Sequence, residues 1–173
     1  MSPPAILPVL AQRLPPGVTL RPRADSDLDF LAGLYASVRE DELRQVDWPS
    51  EHKLAFLHDQ FSKQHAHYLE HYPRAVWLVI ECEGAAAGRL YLEQTQAEIR
   101  LMEVSLLPQY RNRGIGSALL ESLLEHADRA GLPVSLHVEP FNPAFRLYER
   151  AGFSTLETRG VYCFMQRPAG GLS

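Results

Sequence analysis

The stretch from Glu98 to Arg129, EIRLMEVSLLPQYRNRGIGSALLESLLEHADR, constrains this chain more than any other part of it. An extended apolar run comes first, then a turn at Pro108. A basic segment, Arg111-Asn112-Arg113-Gly114-Ile115-Gly116, follows and opens straight into an amphipathic helix. A strand that delivers a glycine-bearing loop onto a helix N-terminus builds an anion site. The first N–H groups of the helix have no intrahelical acceptor, and the helix dipole sets partial positive charge beside them. Glycine lets a ligand approach the backbone, and Arg111 and Arg113 add charge. The expected guest is a phosphate or pyrophosphate.

Two nucleotide readings fit poorly. A P-loop requires Lys directly after its second glycine, and neither Gly114 nor Gly116 is followed by Lys. A dinucleotide fingerprint requires a third glycine where Leu119 stands, and an acidic residue ending the next strand.

The rest of the chain reads as one α/β domain. At 173 residues with 46% hydrophobic side chains, it is long and apolar enough for a single core. A net charge of -4 argues against a nucleic-acid partner. No apolar run approaches the ~20 residues of a membrane span, and the N-terminus lacks a signal-peptide pattern. Cys82 and Cys163 are far apart and outside any CxxC spacing, so they read as buried free thiols of a cytoplasmic protein.

Residues 1–16 hold five prolines and are expected to form a tail or surface strap, with the domain at 17–168 and a short tail at 169–173. A strand is expected at 18–21, a helix from about 28 to 40 and a second helix after Pro49-Ser50. Two strands then flank the turn at Glu83-Gly84, with Gly88 marking a bulge or a close approach. The strand at Glu98, the helix after Gly116 and the strand 134–138 form a right-handed βαβ crossover. Asn142 and Pro143 open a further helix, and strands near 153–157 and 161–165 close the fold. The sum is a mixed, mostly antiparallel sheet of six or seven strands flanked by about four helices.

The segment Arg-x-x-Gly-x-Gly, preceded by Leu-Leu-Pro-Gln-Tyr, resembles the acetyl-CoA-binding motif of the GNAT superfamily of N-acetyltransferases. Asn142-Pro-Ala-Phe-Arg-Leu-Tyr-Glu-Arg-Ala-Gly-Phe153 is similar to that superfamily's second signature. The resemblance spans roughly Val18 to Gln166. It implies that Arg111, Asn112, Arg113, Gly114, Ile115, Gly116 and Ser117 bind the pyrophosphate of acetyl-CoA. It further implies that Val104, Ser105 and Leu106 pair with the pantetheine arm through their backbone, where this strand splays from its parallel neighbour. Asn142 would touch the cofactor and Tyr148 would protonate the leaving thiolate. In the family this Tyr stands seven positions after this Asn; here Tyr148 stands six after Asn142.

Acetyl transfer also requires the amine to lose a proton. Glu103 leads as the base, because a carboxylate in an apolar strand, on the side of Leu101 and Ser105, needs a reason to be there. His137, on the neighbouring strand, is second, and Glu139 is third. Glu40, Asp41, Glu42, Asp47 and Glu51 would make an acidic rim that attracts a cationic amine, or a merely solvated loop. His52, His58, His65, His67 and His71 show no zinc motif, so no metal is expected. The expected activity is direct acetyl transfer from acetyl-CoA to a primary amine of a small molecule or peptide, with no nucleic acid or membrane partner and a possible homodimer. Two alternatives stay open: a CoA-binding regulatory protein without catalysis, and another phosphate- or nucleotide-binding module.

Overall fold

A computed structural model describes residues 3–170, without the side chains of Pro3, Pro4, Asp41 and Glu42. Its elements in chain order are α1 (Pro3–Leu10), β1 (Val18–Pro22), α2 (Leu28–Leu43), α3 (Ser50–His71), β2 (Val76–Cys82), β3 (Ala85–Gln94) and β4 (Ile99–Leu106). There follow α4 (Ile115–Ala130), β5 (Val134–Val138), α5 (Ala144–Arg150), β6 (Ser154–Arg159) and β7 (Tyr162–Arg167). The seven strands form one sheet in the order β1-β2-β3-β4-β5-β7-β6. Every neighbouring pair is antiparallel except β4 and β5, which run parallel on either side of the α4 crossover. Strands and helices from β1 onward lie where the sequence pattern puts them, within a few residues.

The N-terminus differs. Residues 3–10 are a helix, and Ile6 and Leu10 are fully buried in the main core against α4. Two of its prolines sit in the first turn, where the missing N–H has no acceptor to lose. Only Pro8 forfeits a helical hydrogen bond. Burying Ile6 and Leu10, four apart on one face, outweighs that cost at about 1.5–3 kcal/mol per side chain. Residues 171–173 of the expected C-terminal tail lie outside the described part.

One face of the sheet is covered by α1, α4 and α5, and its core includes Leu78, Leu92, Leu119, Leu123 and Met165. The other face carries α2 and α3, which meet around Leu31, Tyr35, Leu57 and Phe61. Gly88 is the expected close approach, since a Cβ there would lie 2.2 Å from the Ser105 carbonyl oxygen. The pairing of β2 with β3 also slips one register at this point.

A second irregularity decides where the polar side chains go. Tyr91 faces Glu103 and Leu92 faces Leu101, so Met102 is an extra residue in β4. A one-residue bulge exchanges the two faces of a strand. Ile99 and Leu101 therefore point into the α4-side core, as do Val104 and Leu106 beyond the bulge. Glu103 does not share the side of Leu101, as plain alternation suggests; it turns to the α3 side.

Candidate active site

The chain leaves β4 through a short 3-10 turn, Pro108–Tyr110, and enters α4 through two left-handed residues, Asn112 (φ 61°) and Gly114 (φ 82°). Ile115 is buried and anchors the helix start, while the loop from Arg111 to Gly114 is exposed. The first α4 bond runs from the Ala118 N–H to the Gly114 carbonyl. The N–H groups of Ile115, Gly116 and Ser117 precede it and have no helical acceptor. Nothing lies within 4 Å of where a Gly116 Cβ would be, so its backbone is open to an approaching group. Arg111 folds back and donates to the Leu106 carbonyl at 3.0 Å, and Arg113 rests over the Tyr110 ring. These arginines brace the loop as well as charging it.

Beside the loop the sheet opens. β4 pairs with β5 only at Ile99 with Val134 and Arg100 with Ser135. From Leu101 onward, through Val104, Ser105 and Leu106, the β4 edge that faces β5 has no strand partner. The Ser105 hydroxyl is buried there with no hydrogen-bond partner. An open edge ending in a cluster of free N–H groups fits an extended, amide-containing chain that terminates in a pyrophosphate. Coenzyme A has that shape, and the Ser105 hydroxyl is a polar atom that such a ligand could satisfy.

At the mouth of the split lies a cleft of about 260 Å³, shared by α2, α3, β4, β5 and the β6–β7 hairpin. It brings Glu103 and His137 together. Glu103 accepts hydrogen bonds from the Tyr68 hydroxyl (2.9 Å) and Gln64 Nε2 (3.1 Å), and its other oxygen faces Arg89 at 3.4 Å. Arg89 is buried and also donates to Gln64 Oε1. Burial and the Glu103 charge hold the Tyr68 phenol far above its ordinary value, so it is a permanent donor. Beneath it, the Trp77 and Tyr91 rings meet edge to face at 4.8 Å.

His137 lies beside the Phe164 ring on β7. Partial burial and the Arg100 and Arg159 guanidiniums hold its imidazole below the ordinary 6.5. Tyr148, on α5, is buried against Phe153 in the main core and does not line the cleft. Burial and the Glu103 charge push its phenol up to about 12. The Asn142 side-chain oxygen accepts from the Ala144 N–H and so is used in starting α5.

Of the two readings of the acidic residues between 40 and 51, the described ones fit the solvated loop. Glu40, Asp47 and Glu51 are exposed and do not line the cleft, and the Asp41 and Glu42 side chains lie outside the described residues. The cleft is instead lined by Arg39, Arg100 and Arg159, none of which the sequence marks as a site residue. The α3 histidines pack: His65 stacks on Phe61, and the His67 and His71 rings lie 4.2 Å apart. Among the described residues no three His, Cys, Asp or Glu side chains converge as a metal-holding group. Glu139, the third candidate base, instead faces Arg39 at 3.9 Å.

The model of the acetyltransferase (GNAT) family matches residues 37–153. N-alpha-acetyltransferase 50 of Danio rerio is 32% identical over 89 residues, which are 50% of this chain and 53% of that protein. The chain thus spans only about half the length of that relative. The putative [ribosomal protein bS18]-alanine N-acetyltransferase of Bacillus subtilis is 28% identical over 120 residues, covering 68% and 80% of the two chains. Among solved structures, the PaiA N-acetyltransferase of Thermoplasma acidophilum in complex with coenzyme A superposes with a TM-score of 0.67. It is 18% identical, with 87% of this chain and 98% of that one covered, and shares the fold.

Proposed function

The chain belongs to the acetyltransferase (GNAT) family, and from that premise we propose that it transfers acetyl from acetyl-CoA to a primary amine, with the α-amine of a peptide or protein as the acceptor class. The observation that carries this reading is the unpaired edge of β4 running into the free N–H groups of Ile115, Gly116 and Ser117. A regulatory phosphate site would need the loop alone; the open edge beside a second cleft suits two substrates meeting. The names of the two relatives, an N-alpha-acetyltransferase and a putative ribosomal protein-alanine N-acetyltransferase, support the peptide or protein acceptor.

Residues 111–117 would hold the pyrophosphate, and the backbone of Val104, Ser105 and Leu106 the pantetheine arm. Acetyl-CoA supplies the acetyl group as a thioester. His137 takes the amine proton, because its imidazole is neutral at neutral pH and opens on the cleft. Glu103 lines the same cleft, but its carboxylate is already engaged by Tyr68, Gln64 and Arg89. Its part is to orient those groups. Tyr148 remains protonated and donates to the departing sulfur.

The test is incubation of the protein with acetyl-CoA and a peptide panel, following thiol release and peptide mass, beside calorimetric titration with coenzyme A, ATP and NAD. Coenzyme A binding and a mass gain of one acetyl group are expected. Binding without thiol release would leave a regulatory CoA protein; preference for ATP would make the loop a nucleotide site.

A further inference from the structure

The cleft that would receive the amine is charged the wrong way for an amine alone. Arg39 from α2, Arg100 from β4 and Arg159 from the end of β6 all line it, against one carboxylate among the described residues, Glu103. That carboxylate is already matched by buried Arg89 and by two neutral donors. Glu98 binds Arg100 at 3.0 Å and Glu157 pairs with Arg159, and neither carboxylate lines the cleft; Glu139 faces Arg39 at 3.9 Å. Glu98 and Glu157 fix the Arg100 and Arg159 guanidiniums without exhausting them. Arg100 spends Nε on Ser135 and Nη2 on Glu98, and Arg159 spends Nε on Glu157. Each guanidinium has five N–H donors in a planar fork shaped for a carboxylate.

On the N-acetyltransferase reading above, we infer that the acceptor presents a carboxylate beside its reactive amine, as a peptide with an acidic first residue does. Arg100 and Arg159, on opposite sides of the split, set this specificity. A purely cationic acceptor is repelled by the lining, while an acidic neighbour turns the same charges into attraction. The arrangement also serves the chemistry. Guanidiniums around an ammonium favour its neutral, nucleophilic form, and the carboxylate offsets the cost of bringing it in.

The experiment compares peptides identical but for an N-terminal Asp or Asn, a Lys twin, and free aspartate, all with acetyl-CoA. The Asp peptide should exceed the Asn peptide in kcat/KM by about tenfold, the Lys peptide should be poorest, and added salt should narrow the gap. In Arg159→Gln the ratio should fall to within about twofold of unity while coenzyme A affinity holds. Arg100→Gln should act the same way, and exposed Arg159 supplies the result should that variant misfold. Turnover of free aspartate together with the Asp peptide would support the charge match with a smaller acceptor. Equal rates for Asp and Asn peptides, or a loss of coenzyme A binding in Arg159→Gln, would overturn the inference alone. No acetylation of any amine would overturn the N-acetyltransferase reading and this inference with it.

Discussion

Gly114 and Gly116 sit two residues apart in the same loop, yet the structure gives them opposite sensitivities. Gly114 has φ 82° and nothing within 4 Å of its Cβ position, so a side chain there meets space but strains the backbone. Alanine in a left-handed conformation costs roughly 1–2 kcal/mol, which for a domain of this size lowers Tm by roughly 2–8 °C. Gly116 has no such φ, and its Cβ position is also open. Valine and glycine differ by less than about 0.5 kcal/mol in a helix, so Gly116→Val should keep Tm within about 2 °C of the parent. Its side chain would stand where a pyrophosphate oxygen must come to reach the helix N–H groups. One lost hydrogen bond to a charged group is about 1.5–3 kcal/mol, or roughly 10- to 100-fold in coenzyme A affinity. Differential scanning calorimetry and isothermal titration on the two variants give the comparison. Gly116→Val that binds coenzyme A with the parental Kd would refute the placement of the anion on this helix end. Unchanged Tm in Gly114→Ala would refute the strain argument.

Tyr148→Phe should lower kcat by about 100-fold with coenzyme A affinity kept; an unaltered kcat would leave Tyr148 as a core residue only. The acid limb of kcat/KM should fall below pH 6.5, since His137 is held below its ordinary value and stays neutral as pH drops. His137→Gln should abolish that limb; if Glu103→Gln abolishes it and His137→Gln does not, Glu103 is the base. Asp27 takes both outer nitrogens of Arg21 at 2.7 and 2.8 Å, and this fork lowers its carboxyl from 3.8 to about 2. The resulting stabilisation is complete above pH 4 and is lost as pH falls towards 2. With Arg21 a third exposed, it is about 1–2 kcal/mol. Urea unfolding at pH 6 and pH 2.5 should show Asp27→Asn losing this difference.

Elements whose cause lies within a dozen residues were legible in the sequence. The α4 loop is one: turn, glycines and helix start are contiguous, and Gly114 adopts the left-handed φ its type allows. Strand β5 is another, five residues with tight flanking breakers. The helix α1 was hidden by its prolines, because proline content predicts the cost to the backbone and not the gain when Ile6 and Leu10 find α4. Spacing did carry a signal there, in Ile6, Leu7 and Leu10, which recur as one helix face.

The cleft was harder to read, and the bulge at Met102 shows why. Nothing in Leu101-Met102-Glu103 announces an extra residue; it exists because β3 and β4 pair in two registers at once. Without it Glu103 would enter the α4-side core, and with it Glu103 meets Tyr68, Gln64 and Arg89, which the chain supplies from two other elements. The same strand then leaves β5 after Arg100, so Arg100 and His137 end as neighbours of one opening although they belong to different strands. Arg39 and Arg159 reach it from elements 120 positions apart. Local charge runs near 40–51 left an acidic rim and a solvated loop both open, because adjacent residues are all a sequence displays. Among the described residues the lining is rich in arginine because topology, acting over separations no short motif spans, brought Arg39, Arg100 and Arg159 together.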